Sequence, residues 1–170
     1  MRENVFGMYL EEIKEIKSCD EAENQRLLRQ IKGGDERAKD RLIEGNLRLA
    51  LKLVQEYVNR GVATGDLVQE ANMALVLAAA EFEDGVFEDF VRERVKDALL
   101  AAVEEQSLEE ETAKKMLDRV NKLEDVSQEM ARELGREATV AELAGRMEMT
   151  CDEVKEIMKL TLDAMSVVGD

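Results

Sequence analysis

Apolar residues recur along this chain at steps of three and four, the spacing of one face of a helix. Met8, Leu10, Ile13 and Ile16 outline a short amphipathic helix. Ser18 or Asp20 caps a second helix, which ends at Lys32, Gly33 and Gly34. Asp35 caps a third, which continues through Ala38, Leu42, Ile43, Leu47, Leu51, Val54 and Val58 until Gly61 closes it. After the loop VATG, a fourth opens with Asp66 as its cap and runs DLVQEANMALVLAAA to Ala80. Asp84 and Gly85 make a turn, and Phe87, Val91, Val95, Ala98, Leu99, Ala102 and Val103 then form the stripe of a fifth, opposed by Glu88, Asp89, Glu93, Asp97 and Glu104. Beyond the acidic joint SLEEET, a helix from Ala113 to Leu134 stops at Gly135. Two short helices follow, each opened by a capping box: Thr139 with Glu142, and Thr150 with Glu153. The pattern predicts an all-α fold, with a helical domain over residues 1–112 and a small three-helix domain over 113–170. The last two helices match a helix-turn-helix in outline.

The fourth helix poses a question of its own. Leu67, Ala71, Leu75, Ala78 and Phe82 form one apolar face, and Met73, Val76, Leu77 and Ala80 form the opposite one. Both faces want cover. Either the helix is central and surrounded by its own domain, or it is half buried at home and half docked on a partner. Periodicity alone favours the central helix.

Composition supports a helical globular chain: 170 residues, no proline and 45% hydrophobic residues. The longest apolar run, Met73 to Ala80, is too short to span a bilayer, and the amino terminus has no apolar signal core, so a cytosolic protein without membrane association is expected. Cys19 and Cys151 stand far apart, and there is no histidine, which disfavours zinc sites and removes histidine bases and Ser-His-Asp triads. The many carboxylates have no glycine loop or motif lysine to frame them. A non-enzymatic protein without cofactor or metal is expected.

Charge changes the picture most. The chain carries 39 acids and 24 bases, a net of −15, and such a polyanion is repelled by nucleic-acid phosphates unless its bases cluster. The excess is concentrated between Glu81 and Thr112, where twelve acids face three bases, Arg92, Arg94 and Lys96.

The segments DERAKDRLIEGNLRLA, DLVQEAN and ELGREATVAELA, in this order and near this spacing, carry a resemblance that extends over nearly the whole chain. It resembles the bacterial sigma-70 family of RNA polymerase initiation factors. The resemblance implies a core-binding and −10 domain followed by the three-helix domain that meets the extended −10 element. It also implies a partner, core RNA polymerase, gripped through the clamp coiled coil of its largest subunits by the helix that matches DLVQEANMAL. Asp66, Gln69, Glu70, Asn72 and Val76 match the family's clamp contacts, and Met73 adds apolar area between them. Gln69 and Asn72 offer paired donors and acceptors, while Asp66 and Glu70 can meet arginines bidentately.

The family's promoter-melting helix is matched less faithfully. Phe82, Phe87 and Phe90 retain aromatic character, but the paired tryptophans that replace a flipped base's stacking partner have become Glu93 and Arg94. A base-reading glutamine has become Asp97. Losing an aromatic platform forfeits about 1–3 kcal/mol per base, and a carboxylate beside phosphates adds repulsion. The remaining candidate DNA contacts are Arg92, Arg94 and Lys96, with Lys115 in the linker, where glutamates replace the family's arginines. Asn46 and Leu49 match the pocket for a second flipped base, although such residues equally pack the helix internally. The chain ends where the family continues to a promoter-upstream reader of the −35 element, so a separate protein carrying that reader is a conceivable partner. The resemblance therefore implies either a sigma-like factor with weakened or delegated promoter recognition, or a polymerase-binding antagonist that opens no promoter.

Overall fold

The computed structural model describes residues 3–167. Among them are seven helices and no strand: α1 (Glu3–Glu15), α2 (Glu21–Lys32), α3 (Glu36–Val54), α4 (Thr64–Glu81), α5 (Phe87–Leu134), α6 (Val140–Met147) and α7 (Cys151–Val167). The all-α expectation holds. The chain divides into two compact units, Met1–Ser107 and Leu108–Asp170.

In the first unit, Leu42, Leu53, Val54, Leu67, Leu75, Phe87, Val91, Val95 and Leu99 are sealed from solvent. Burial of side chains of this size contributes about 1.5–3 kcal/mol each, which fixes the inward face of every helix that carries them. Local caps set the helix starts. Asp20, rather than Ser18, accepts the N–H of Glu23 at 2.8 Å, and Asp35 accepts those of Arg37 and Ala38. The start of α5 is held from outside its own sequence: the Glu21 carboxylate on α2 accepts the N–H groups of Phe87 (3.0 Å) and Glu88 (3.3 Å). Burial alone raises the pKa of Glu21, but its bonds from Gln25 and from these two N–H groups outweigh that and hold it below the usual carboxylate range.

Two buried asparagines join α2 to α3. Asn46 Nδ2 donates to Asn24 Oδ1 at 2.9 Å and to the Leu42 carbonyl at 2.8 Å, while Asn24 Nδ2 donates back to Asn46 Oδ1 at 3.5 Å. Next to Asn46, Gly45 allows a close approach. A Cβ there would lie 2.1 Å from Cys19 Sγ, and the Cys19 N–H donates to the Gly45 carbonyl at 2.9 Å. Burial pushes the Cys19 thiol pKa up, which makes it a poor nucleophile.

Four local expectations differ from what is observed. Helix α1 begins at Glu3, ahead of Met8, and the side chains of Met8 and Leu10 lie outside the described residues. Helix α3 ends at Val54, because the chain turns through residues 55–61 with Asn59 (φ 64°) and Gly61 (φ 95°) in the left-handed region; Val58 still packs on the core from that turn. Helix α4 opens two residues before Asp66. Its N-cap is Ala63, with no side-chain cap, and Asp66 stands inside the first turn, where its charge favours the helix dipole instead. No break occurs at SLEEET. Between Phe87 and Leu134 there is neither glycine nor proline, and glutamate, alanine, lysine and leucine all favour a helix, so α5 continues through it. The Thr112 hydroxyl donates back to the Leu108 carbonyl at 2.8 Å, and Lys115 pairs with Glu111 one turn earlier.

In the second unit, Leu123, Met130, Leu143, Ala144, Met147, Val154 and Ile157 make a separate core. Both capping boxes form: the Thr139 N–H and the Thr150 N–H each donate at 2.8 Å to the glutamate three residues on. Helices α6 and α7 are joined by a three-residue turn in which Glu148 adopts a left-handed φ of 57°. Arg136 bonds Glu142 in fork geometry at 2.8 and 3.0 Å, and this contact, with the Thr139 bonds, holds Glu142 down to a pKa of about 2.

Candidate functional site

Helix α4 settles which of its faces is at home. Leu67, Ala71, Leu75 and Ala78 are inaccessible and pack on α3 and its neighbours. On the other side Met73 is 52% exposed, Val76 41% and Leu77 54%. The central, fully surrounded helix that periodicity favoured is thus corrected: its second apolar face is uncovered among the described residues. Apolar area of this kind costs free energy in water, and its usual explanation is a partner.

That face has a shape. Met73, Val76 and Leu77, with Gly65, Val68, Gln69 and Asn72 of the same helix and Tyr9 of α1, line an open groove of about 540 Å³. Asp66, Gln69, Met73 and Val76 follow one another at three- and four-residue steps, and Glu70 stands four after Asp66 and three before Met73, so the five share one helix face. Asp66 and Gln69 are exposed, and Glu70 is half-buried. Gln69, Asn72, Met73 and Val76 belong to the groove itself, whereas Asp66 and Glu70 do not line it. The Asn72 amide is held from across the groove: Nδ2 donates to the Tyr9 hydroxyl at 2.8 Å, and Oδ1 is buried without a hydrogen-bond partner. Tyr9, Gly65, Val68 and Leu77 are the groove residues that sequence reasoning missed as site residues. Leu77 was within reach, being one turn beyond Met73. Tyr9 was not, since its contact is 63 positions away.

The expected DNA-facing residues are arranged differently. Phe82 and Phe87 belong to the core, their rings packed edge to face with centroids 5.2 Å apart. Phe90 is half-buried, 5.4 Å from Phe82, with the Arg94 guanidinium 5.1 Å from its ring centre. Asn46 is buried and both its amide groups are engaged internally, and Leu49 packs against the core. Each candidate base is matched to a carboxylate: Arg92 to Glu88, Arg94 to Glu81 at 2.7 Å, Lys96 to Glu56 at 3.6 Å and Lys115 to Glu111 at 2.7 Å. Exposed pairs of this kind add little stability, but they cancel the local positive potential that phosphates need.

No group of three or more carboxylate or cysteine side chains among the described residues is arranged to hold a metal ion. No helix among the described residues is long and apolar enough to cross a membrane.

Two family models match the chain: Sigma-70 region 2 over residues 42–109, which contains α4, and Sigma-70 region 3 over residues 118–168. The chain is 36% identical over 163 residues to the RNA polymerase sigma factor SigA of a Bacillus species, and 34% identical over 163 residues to that of Clostridium acetobutylicum. In both cases the alignment covers 94% of this chain and 43% of the relative, so the chain spans under half the length of the curated relatives it matches. Two consecutive regions in their expected order, on an all-α fold that exposes the second face of α4, make the conclusion plain: the chain belongs to the sigma-70 family of RNA polymerase sigma factors.

Proposed function

We propose that this chain acts in transcription initiation by docking on core RNA polymerase through the uncovered face of α4, with the clamp coiled coil as the docked element and with its own −10 recognition weakened. The observation that carries the dock is the groove beside Met73, Val76 and Leu77, whose apolar area no other part of the described chain covers. Asp66 and Glu70 on the same helix face add negative charge beside it, which suits a partner segment with arginines at its rim.

The weakened DNA step rests on different residues. Glu93 and Asp97 are exposed on α5 where stacking and base reading would be needed, and Arg92, Arg94, Lys96 and Lys115 are already matched to carboxylates. This pairing also favours a second reading, in which the chain occupies the polymerase as an antagonist and opens no promoter.

Titration of the protein against core polymerase, with Glu70→Lys as control and a labelled −10 single strand added afterwards, tests both. The reversed charge at the edge of the dock is expected to weaken binding by about 30-fold, the equivalent of roughly 2 kcal/mol. Equal affinity of the variant would sink the dock. Strand capture by the assembled complex favours a working initiation factor, and its failure favours the antagonist.

A further inference from the structure

Asn72 is the polar residue of the α4 groove that carries a buried atom without a hydrogen-bond partner. A carboxamide has two donors and an acceptor oxygen with two lone pairs. Here one bond serves it, from Nδ2 to the Tyr9 hydroxyl, while Oδ1 is buried and unpartnered. Turning the amide over leaves the account unchanged, because Nδ2 would then occupy the buried, partnerless position. An orphaned buried polar atom costs free energy in the unbound protein, and that cost disappears once the amide reaches a complete set of partners.

Tyr9 is held firmly enough to keep Asn72 in this state. It lies one helical turn before Ile13 on α1, on the same face, and Ile13 is buried in the core. The last carbonyls of α1 are gripped from α3: Arg48 Nε donates to the Ile13 carbonyl at 3.3 Å, and Arg48 Nη2 donates to that of Lys14. The Tyr9 ring itself packs against the core, so its hydroxyl arrives over α4 from a fixed helix.

We propose that the Tyr9 hydroxyl is a latch on Asn72: it restrains the amide in a resting, incompletely bonded conformation, and docking of a partner in the α4 groove exchanges Tyr9 for the partner's own donor and acceptor. This rests on the proposed use of that groove for polymerase docking and adds a regulatory element to it. The latch holds affinity below what the groove could give, and it ties the dock to α1, since whatever displaces α1 frees Asn72.

The test is a double-mutant cycle on the full chain, with an isolated clamp coiled-coil fragment as the probe. Tyr9→Phe keeps the ring and its packing but removes the hydroxyl. It is expected to tighten binding about fivefold, the worth of one hydrogen bond no longer broken on docking. In an Asn72→Ala background the same replacement is expected to change nothing. Side-chain amide resonances of Asn72 give a second readout without any partner: Tyr9→Phe is expected to move them toward solvent-exposed values, with the melting temperature lowered by no more than the loss of one hydrogen bond. Unchanged or weaker binding by Tyr9→Phe, with Glu70→Lys still impaired, overturns the latch and leaves the dock standing. Unimpaired binding by Glu70→Lys overturns the dock. An effect of Tyr9→Phe that persists in Asn72→Ala shows that Tyr9 acts on the partner directly, which also overturns the latch.

Discussion

The Arg94 guanidinium on α5 lies 2.7 Å from the Glu81 carboxylate at the end of α4. The same guanidinium lies over the Phe90 ring, so the base and the aromatic that would serve a DNA strand are both occupied at home. The pair is about half exposed and worth little to stability, but it neutralises a positive charge on the surface proposed to face a DNA strand.

Releasing that charge is expected to restore strand binding in part. Glu81→Gln should raise affinity for a −10 single strand at low salt and steepen the salt dependence by about 0.7 in log–log slope, the effect of one additional phosphate contact. Replacing Glu93 and Arg94 by tryptophan and Asp97 by glutamine should add stacking of roughly 1–3 kcal/mol per base. Fluorescence anisotropy over a salt series measures both. A flat response in all variants places the loss of DNA affinity outside α5.

The Asn24 and Asn46 pair is a stability element. Asn46→Ala leaves Asn24 Oδ1 and Nδ2 without their partner inside the core, and is expected to cost roughly 1–3 kcal/mol in denaturant unfolding. Replacing both with leucine removes the orphaned groups together and should cost less than the single change. A single Asn46→Ala variant that retains full stability would return this residue to the candidate DNA contacts.

The second unit should carry an acid-sensitive joint. Glu142 ionises at about 2 in the folded protein against 4.5 ordinarily, chiefly through the Arg136 fork and then through its bonds from Thr139. A carboxylate whose folded pKa is depressed contributes stability that is present above the ordinary value and is lost as pH falls toward the folded one. Melting temperature followed from pH 6 to about 2 should therefore decline through that window, and Glu142→Gln should remove part of the decline while lowering the plateau. An identical pH profile for the variant would show that the capping box does not carry the effect.

How much of this protein is legible in its sequence depends on the range of the interaction concerned. Caps and boxes are short-range and spoke clearly: Asp20, Asp35, Thr139 with Glu142 and Thr150 with Glu153 all form the bonds that their spacing predicts. The buried stripe of α5, Phe87, Val91, Val95 and Leu99, followed directly from periodicity. Local signals misled where two of them competed. Asp66 resembles a cap, yet the chain enters the helix two residues earlier, and SLEEET resembles a joint, yet its residues favour a helix and contain no breaker.

The sequence by itself determined the all-α class, the faces and most of the caps of its helices, and the family, because helical spacing, capping chemistry and ordered motif matches are written in consecutive residues. Only the tertiary structure decided which face of α4 lacks a neighbour. It alone set Tyr9 against Asn72, buried Asn46, and matched each candidate DNA-binding base to a carboxylate. Apolar spacing states that a face wants cover but not what supplies it. Contacts such as that of Tyr9 with Asn72, 63 positions apart, exist only once packing has brought their helices together.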